Sequence, residues 1–245
     1  MNIGELKATF SRHPGLLSYL QNFLSENKKK LFEKIIQHRT RHIAVVTENV
    51  FDEHNTNAVI RSCECFGIQD IYVISSHQFK TSKGVQQGSG KWVTIHKFNE
   101  PETENTESCL AALKSKKYLI AATSPYDGNI NIGDLDLSHP VAICFGSEHL
   151  GVSDKIKSQA DFLIRIPMAG FTESFNISVA AAVCMYAVTQ RLLKSNIHWN
   201  LSAEEKQEIL FDWTLKCVKK PEVLIRQFLN ETRLNNRQTE PPAII

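Results

Sequence analysis

Two short stretches hold residues whose types and spacing suit the handling of a small ligand. The first, Val141-Ala-Ile-Cys-Phe-Gly-Ser-Glu-His-Leu-Gly151, is an apolar run of strand character that enters a turn bracketed by Gly146 and Gly151. A strand leading through glycines into a helix is the layout of nucleotide sites in parallel α/β sheets, but this spacing is not the dinucleotide fingerprint. Glu148 puts a carboxylate inside the turn. That charge repels a pyrophosphate and suits a neutral or cationic ligand. The second stretch runs from Ile164 to Arg191. Pro167 cannot donate to a sheet ladder and Gly170 admits backbone angles closed to other residues, so the loop between them should bend sharply and expose its peptide groups. Ser174 and Asn176 follow at the expected start of a helix, where their oxygens can satisfy orphan amides; capping alone would account for both. Three alanines between Val179 and Val183 would let another backbone approach that helix closely. Upstream, Arg61 lies on the helix expected after the first strand. A guanidinium buried there beside a ligand turn could hold a phosphate or carboxylate in a bidentate fork, and half of a structural ion pair is the plainer reading.

The elements that must position these residues alternate. Residues 1–38 read as helical, with Leu16, Leu17, Leu20, Phe23 and Leu24, then Leu31, Phe32, Ile35 and Ile36, at helical spacing. Strands are expected at His42–Thr47, Asp70–Ile74, Val93–Phe98 and Tyr118–Ala122, and helices at about 57–66, closed by Gly67, and at 107–116. Thr123 then stands at the carboxyl end of a strand, where open α/β sheets line their ligands. The Asp- and Asn-rich stretch 125–137 reads as an exposed loop. Ser202 with Glu205 makes a capping box for a helix to about Val218, Pro221 restarts a short helix to about Leu229, and the end should fray. Alternation across 42–191 argues for a mostly parallel sheet with helices on both faces. The domain boundaries expected are a helical extension over 1–41, the α/β domain over 42–195 and a second helical extension over 196–245.

With 245 residues the chain can bury a substantial core. No apolar run approaches the roughly 20 residues that span a bilayer, and the first residues lack a signal-peptide pattern, so a cytoplasmic protein with no membrane association is expected. The six cysteines and nine histidines show no metal-ligand spacing. The thiols read as reduced and mostly core, and no metal is expected. The net charge of +2 divides unevenly: residues 1–42 carry eight basic against three acidic side chains, 43–190 eleven against sixteen, and 191–245 nine against seven. Basic ends around an acidic middle fit a grip on RNA, or are simply solvated.

Gly84-Val-Gln-Gln-Gly-Ser-Gly-Lys-Trp92 invites comparison with a phosphate-binding loop and fails it. A Walker loop needs glycine where Val85 stands and Ser or Thr where Trp92 stands.

Phe145-Gly-Ser-Glu-His-Leu-Gly-Val-Ser153 and Ile166-Pro-Met-Ala-Gly-Phe-Thr-Glu-Ser-Phe-Asn-Ile-Ser-Val-Ala180 resemble the second and third motifs of the SPOUT-class RNA 2′-O-ribose methyltransferases. Asn49-Val-Phe-Asp-Glu-His-Asn-Thr-Asn-Ala-Val-Ile-Arg-Ser-Cys-Glu-Cys-Phe-Gly67 resembles the first. The three motifs stand in order across most of 43–191. The resemblance implies an α/β fold with a C-terminal trefoil knot, S-adenosyl-L-methionine as cofactor held by Thr123, Gly146, Ile166, Met168 and Phe175, and a catalytic set of Asn55, Arg61, Glu148, Ser174 and Asn176. It implies that Lys83 and Lys91 border the RNA, and that a homodimer packs through Val179, Ala182, Val183 and Tyr186.

The short N-terminal extension and the tail from Leu201 resemble the subgroup that methylates the D-loop guanosine at position 18 of tRNA. Phe171-Thr-Glu-Ser-Phe175 departs from the Met-Val-Gln-Ser-Leu pattern commoner in the family. The competing readings are 2′-O-methylation of 23S rRNA and an RNA-binding protein without turnover. A nucleotide-dependent oxidoreductase fails on the missing glycine fingerprint.

Overall fold

A computed structural model of the chain describes residues 3–50, 52–75, 88–101, 103–126, 128–148 and 150–238. Lys83 lies outside these residues, as does the end of the tail expected to fray. By internal contacts the chain divides into two units, residues 39–200 and the pair of end segments.

The larger unit is built on strands β1 (Thr40–Glu48), β2 (Ile68–Ile74), β3 (Thr94–Phe98), β4 (Leu119–Thr123), β5 (Ile130–Asn131), β6 (Val141–Phe145) and β7 (Phe162–Arg165). Among the described residues they form one parallel sheet in the order β3-β2-β1-β6-β4-β7-β5. Strand periodicity decides which side chain faces which layer. Ile43 and Val45 of β1 and Val141, Ile143 and Phe145 of β6 point to one face, where they pack with Val59, Ile60 and Cys63 of α4 (Glu53–Cys65) and with Ile177, Ala181, Cys184, Met185 and Val188 of α7 (Ile177–Leu193). The alternating residues Ala44, Val46, Ala142 and Cys144 point to the other, against Cys109, Leu110 and Leu113 of α5 (Asn105–Ser115) and Ile156 of α6 (Asp154–Gln159). Both faces are thus covered, which is why the strands read as continuous apolar runs.

Three local expectations need correction. The helix after β1 begins at Glu53, about one turn before the expected residue 57, because Asp52 caps it by accepting from the His54 amide at 2.8 Å. Stretch 125–137 contains β5 and a 3-10 turn at Ile132–Asp134, with Ile132, Leu135 and Leu137 buried. These apolar residues pack into the core of the sheet domain, while Asn129, Asp134 and Asp136 are exposed. The final helix, Pro221–Gln238, runs well past Leu229.

The smaller unit joins the two ends of the chain. Helices α1 (Ile3–Arg12), α2 (Leu16–Gln21) and α3 (Glu26–Ile36) belong with α8 (Ala203–Leu215) and α9 (Pro221–Gln238). Leu6, Leu16, Leu17 and Leu20 share a core with Phe211 and Ile225, and Phe10 stacks on Phe211 at 4.4 Å. The capping box is present, Ser202 accepting from the Glu205 amide and Glu205 accepting from the Ser202 amide. Phe23 and Leu31 fall on the helical stripe yet are about half exposed.

At the amino ends of the strands, Asp70 is buried between Arg41 Nε at 3.2 Å and His96 Nε2 at 3.1 Å. Burial alone would push its carboxyl up, but the His96 hydrogen bond and the Arg41 charge outweigh it and hold the group below the usual carboxylate range. A depressed folded value contributes stability above the unfolded value that is lost as pH falls through the folded one. Asp70→Asn should therefore destabilise the protein by about 2 kcal/mol at neutral pH, the deficit shrinking in acid. Urea unfolding at several pH values checks this, and a deficit independent of pH would contradict it.

Candidate active site

The turn after β6 closes on itself. Ser147 N donates to Gly151 O at 3.1 Å and Gly151 N returns to Ser147 O at 2.9 Å, while Leu150 N donates to Ser147 Oγ at 3.2 Å. Both glycines are required by this geometry. Gly151 sits at φ +65°, and a Cβ on Gly146 would lie 1.9 Å from the Gly151 carbonyl carbon and oxygen. Gly170, by contrast, has no positive φ, and a Cβ there would meet only Thr172 N at 3.9 Å, so the bend expected of it does not depend on glycine.

Beyond the turn, Ser153 caps α6, accepting from the Ile156 amide. Ser153 is itself held by Glu48 at the end of β1, whose carboxylate accepts from Ser153 N at 2.7 Å, Ser153 Oγ at 2.8 Å and Thr106 Oγ1 at 2.8 Å. Glu48 is buried, and the sequence reading passed over it. A single acid just after the apolar run Ile43–Val46 was the available signal.

Against this turn lies a cavity of about 220 Å³, bounded by the carboxyl ends of β4, β6 and β7 and by the loop that leads to α7. All five residues expected to hold the cofactor line it: Thr123, Gly146, Ile166, Met168 and Phe175. Ser174 and Glu148 line it too. Thr123 spends its hydroxyl proton on Cys144 O at 2.8 Å, tying β4 to β6 and leaving only acceptor capacity towards the cavity. Ile166, Met168 and Phe175 give it apolar wall, and charges of both signs stand around it, Glu148 and Glu173 with Lys157 and Arg165. This lining fits a ligand with a flat apolar part and a part bearing charges of both signs, which the adenine and the amino-acid portion of S-adenosylmethionine possess.

Glu148 also belongs to a second arrangement. Its Oε1 accepts from Asn55 Nδ2 at 2.9 Å and from Asn176 Nδ2 at 2.7 Å, and Asn176 Nδ2 also reaches Asn55 Oδ1 at 3.2 Å. The triangle joins residues distant in sequence, one from α4, one from the glycine turn and one at the start of α7. Asn176 caps α7, its Oδ1 accepting from Ser178 N at 2.9 Å and Ser178 Oγ at 2.6 Å, while its Nδ2 binds the triangle. Glu148 Oε2 is left without a partner among the described residues.

Arg61 is not in the triangle. It stands six residues after Asn55 on the same helix, which turns it to another face. It is exposed, not buried, and makes no hydrogen bond or ion pair with a described residue. Lys91 lies at the end of a 3-10 turn with its ammonium 5.0 Å from the centroid of the Trp92 ring. Among the described residues, no group of three or more His, Cys, Asp or Glu could hold a metal ion, and no helix is long and apolar enough to cross a membrane.

The profile of the SpoU rRNA Methylase family matches residues 42–186, more than half of the chain. The chain belongs to this family. A relative from Borreliella burgdorferi, named tRNA (guanosine(18)-2′-O)-methyltransferase, is 35% identical over 204 residues, covering 83% of this chain and 91% of its own length. The crystal structure of the Aquifex aeolicus TrmH/SpoU tRNA modifying enzyme superimposes with a TM-score of 0.68 at 33% identity, covering 80% of this chain and 98% of that one. A SpoU methyltransferase from Streptomyces viridochromogenes, solved in complex with AdoMet, shares the fold at a TM-score of 0.53 and 20% identity, covering 66% of this chain and 62% of that one. The three segments that resembled family motifs in the sequence are those that meet at the cavity and the triangle.

Proposed function

We propose that the chain is an S-adenosylmethionine-dependent RNA 2′-O-ribose methyltransferase whose substrate is the D-loop guanosine at position 18 of tRNA. The observation that carries this reading is the closed triangle of Asn55, Glu148 and Asn176 beside a cavity lined by Gly146, Ile166, Met168 and Phe175. The substrate class rests on the similarity to the Borreliella and Aquifex proteins.

Bound in the cavity, the cofactor supplies an activated methyl group. The protein must then present a ribose hydroxyl in line with it and manage a weakly acidic proton. Glu148 is fixed through Oε1 by two amide donors, so Oε2 remains to accept from a ribose hydroxyl and set its direction. Ser174, at the cavity wall, can hydrogen-bond to either reactant. Arg61 keeps all its donors for RNA. A guanidinium stays protonated in proteins, so it holds the neighbouring phosphate and stabilises charge developing on the 2′-oxygen. Arg61→Ala is then expected to lower kcat/KM about a hundredfold, with Arg61→Lys only partly restoring it. A lysine variant of near-normal rate with a lowered pH optimum would instead support arginine as the base.

The proposal extends to assembly. Val179, Val183 and Tyr186 are exposed along one face of α7, with Tyr186 6.3 Å from Phe66 between ring centroids, and such an apolar stripe suits an isologous homodimer contact. Sedimentation showing a stable, active monomer would remove it. The knot is supported by the return path: β7 lies beyond β4, yet α7 comes back to α4, where Cys63 Sγ and Met185 Sδ meet at 3.5 Å. An experimental chain trace passing outside the loop before β6 would remove that part. Six free cysteines favour the cytoplasm, and recovery from an oxidising compartment would speak against it.

The decisive experiment incubates the protein with labelled S-adenosylmethionine and unmodified tRNA or 23S rRNA, then maps the methyl group. Label on the tRNA D-loop guanosine is expected. Label confined to rRNA would keep the chemistry and change the substrate, and cofactor binding without transfer to either RNA would defeat the proposed substrate.

A further inference from the structure

Two loops that face each other across the cavity are joined by one hydrogen bond. Tyr126, on the loop after β4, donates its phenol to Glu173 Oε2 at 2.5 Å, and Glu173 belongs to the loop between β7 and α7. Both residues line the cavity and both are exposed, so the bond spans its rim.

The Tyr126 side is anchored. Ser124 N donates to Ile164 O at 2.9 Å and Asn129 N to Leu163 O at 3.1 Å, which fixes both shoulders of that loop to β7. Gly128 is packed so tightly that a Cβ would lie 2.6 Å from Ser124 O. The Glu173 side carries no regular structure from Ile166 to Asn176, and its neighbours Ser174 and Phe175 form the cavity wall. An anchored post therefore holds a strand of chain whose position depends on few other bonds.

We propose that Tyr126 and Glu173 form a clasp that sets how long the nucleoside ligand stays in the cavity, a role that rests on the cofactor reading of that site. A carboxylate accepts a stronger hydrogen bond from a phenol than an amide does. The Glu173 carboxylate holds the Tyr126 phenol above its usual value, so the phenol remains a donor throughout the neutral range. Because the bond is exposed to water, its contribution is moderate. The clasp positions the loop bearing Ser174 and Phe175; it is not assigned to the reacting atoms.

The test is the dissociation of tritiated S-adenosylmethionine from the full-length protein, chased with unlabelled ligand. Tyr126→Phe and Glu173→Ala should each release it about fivefold faster, and the double variant should be no faster than either. Glu173→Gln keeps a weaker acceptor for the phenol and should release the ligand at a rate between those of the parent and Glu173→Ala. Unchanged release in both single variants, additive effects in the double variant, or glutamine behaving like alanine would each overturn the clasp while leaving the cofactor site intact. Failure of the parent protein to bind S-adenosylmethionine would overturn the site reading and the clasp together.

Discussion

Asn176→Asp is expected to lower the rate of methyl transfer by about a hundredfold or more while leaving the fold in place. Aspartate caps a helix as well as asparagine does, so the acceptor seen by Ser178 N at 2.9 Å survives and stability should change by about 1 kcal/mol or less. What is lost is the Nδ2 donor 2.7 Å from Glu148 Oε1. In its place stands a second carboxylate, and two like charges at that distance cannot both remain ionised without parting. The triangle opens, and Glu148 is no longer held in direction. A pH signature accompanies this. In acid the introduced carboxyl can carry a proton and donate it to Glu148, so the variant should recover part of its activity relative to the parent as pH falls. Methyl transfer measured against pH, with circular dichroism and cofactor binding alongside, checks all three statements. A variant that turned over normally would reduce Asn176 to its capping role.

The second large effect is expected at Gly146. An alanine there would put its Cβ 1.9 Å from the carbonyl of Gly151 and 2.1 Å from Val152 N, all of it backbone that cannot swing aside. The hairpin must open, which breaks the Ser147–Gly151 pair and pulls Glu148 and Ser153 away from their partners. A loss of about 3 kcal/mol or more is expected, with cofactor binding abolished. Gly170→Ala is the matched control, with nothing nearer than 3.9 Å, and should shift stability by about 0.5 kcal/mol or less. Thermal unfolding and S-adenosylmethionine binding distinguish the two. A Gly146 variant that bound ligand like the parent would show that the turn can relax.

How far the sequence carried is best seen residue by residue. The strands were legible because both faces of the sheet are covered, which leaves apolar runs such as Ile43–Val46 with little ambiguity. The glycine turn and the helix start at Asn176 were legible from residue type. Glu48 was not, because a single acid at a strand end has no periodicity, and its meaning comes from Ser153 and Thr106, far along the chain. Burial of Arg61 was expected from its place near a helix start; the phase of α4 turns it outward instead. The buried leucines of 125–137 were hidden among Asp and Asn residues, which dominated the composition of that stretch.

The pairing of the two ends was also beyond any local pattern, and it bears on how the protein is made. Leu16 and Leu20 leave the ribosome early, but Phe211 and Ile225, which complete their core, arrive only after the whole sheet domain has been synthesised. The first three helices must wait as nascent segments, with their apolar faces uncovered, until the last two emerge. Closing so distant a contact carries a large loop entropy, reduced when the intervening domain has already folded and drawn its ends inward. The expected order of assembly is therefore sheet first and helical unit last, with a ribosome stalled before Phe211 holding a folded centre and an unfinished N-terminal segment.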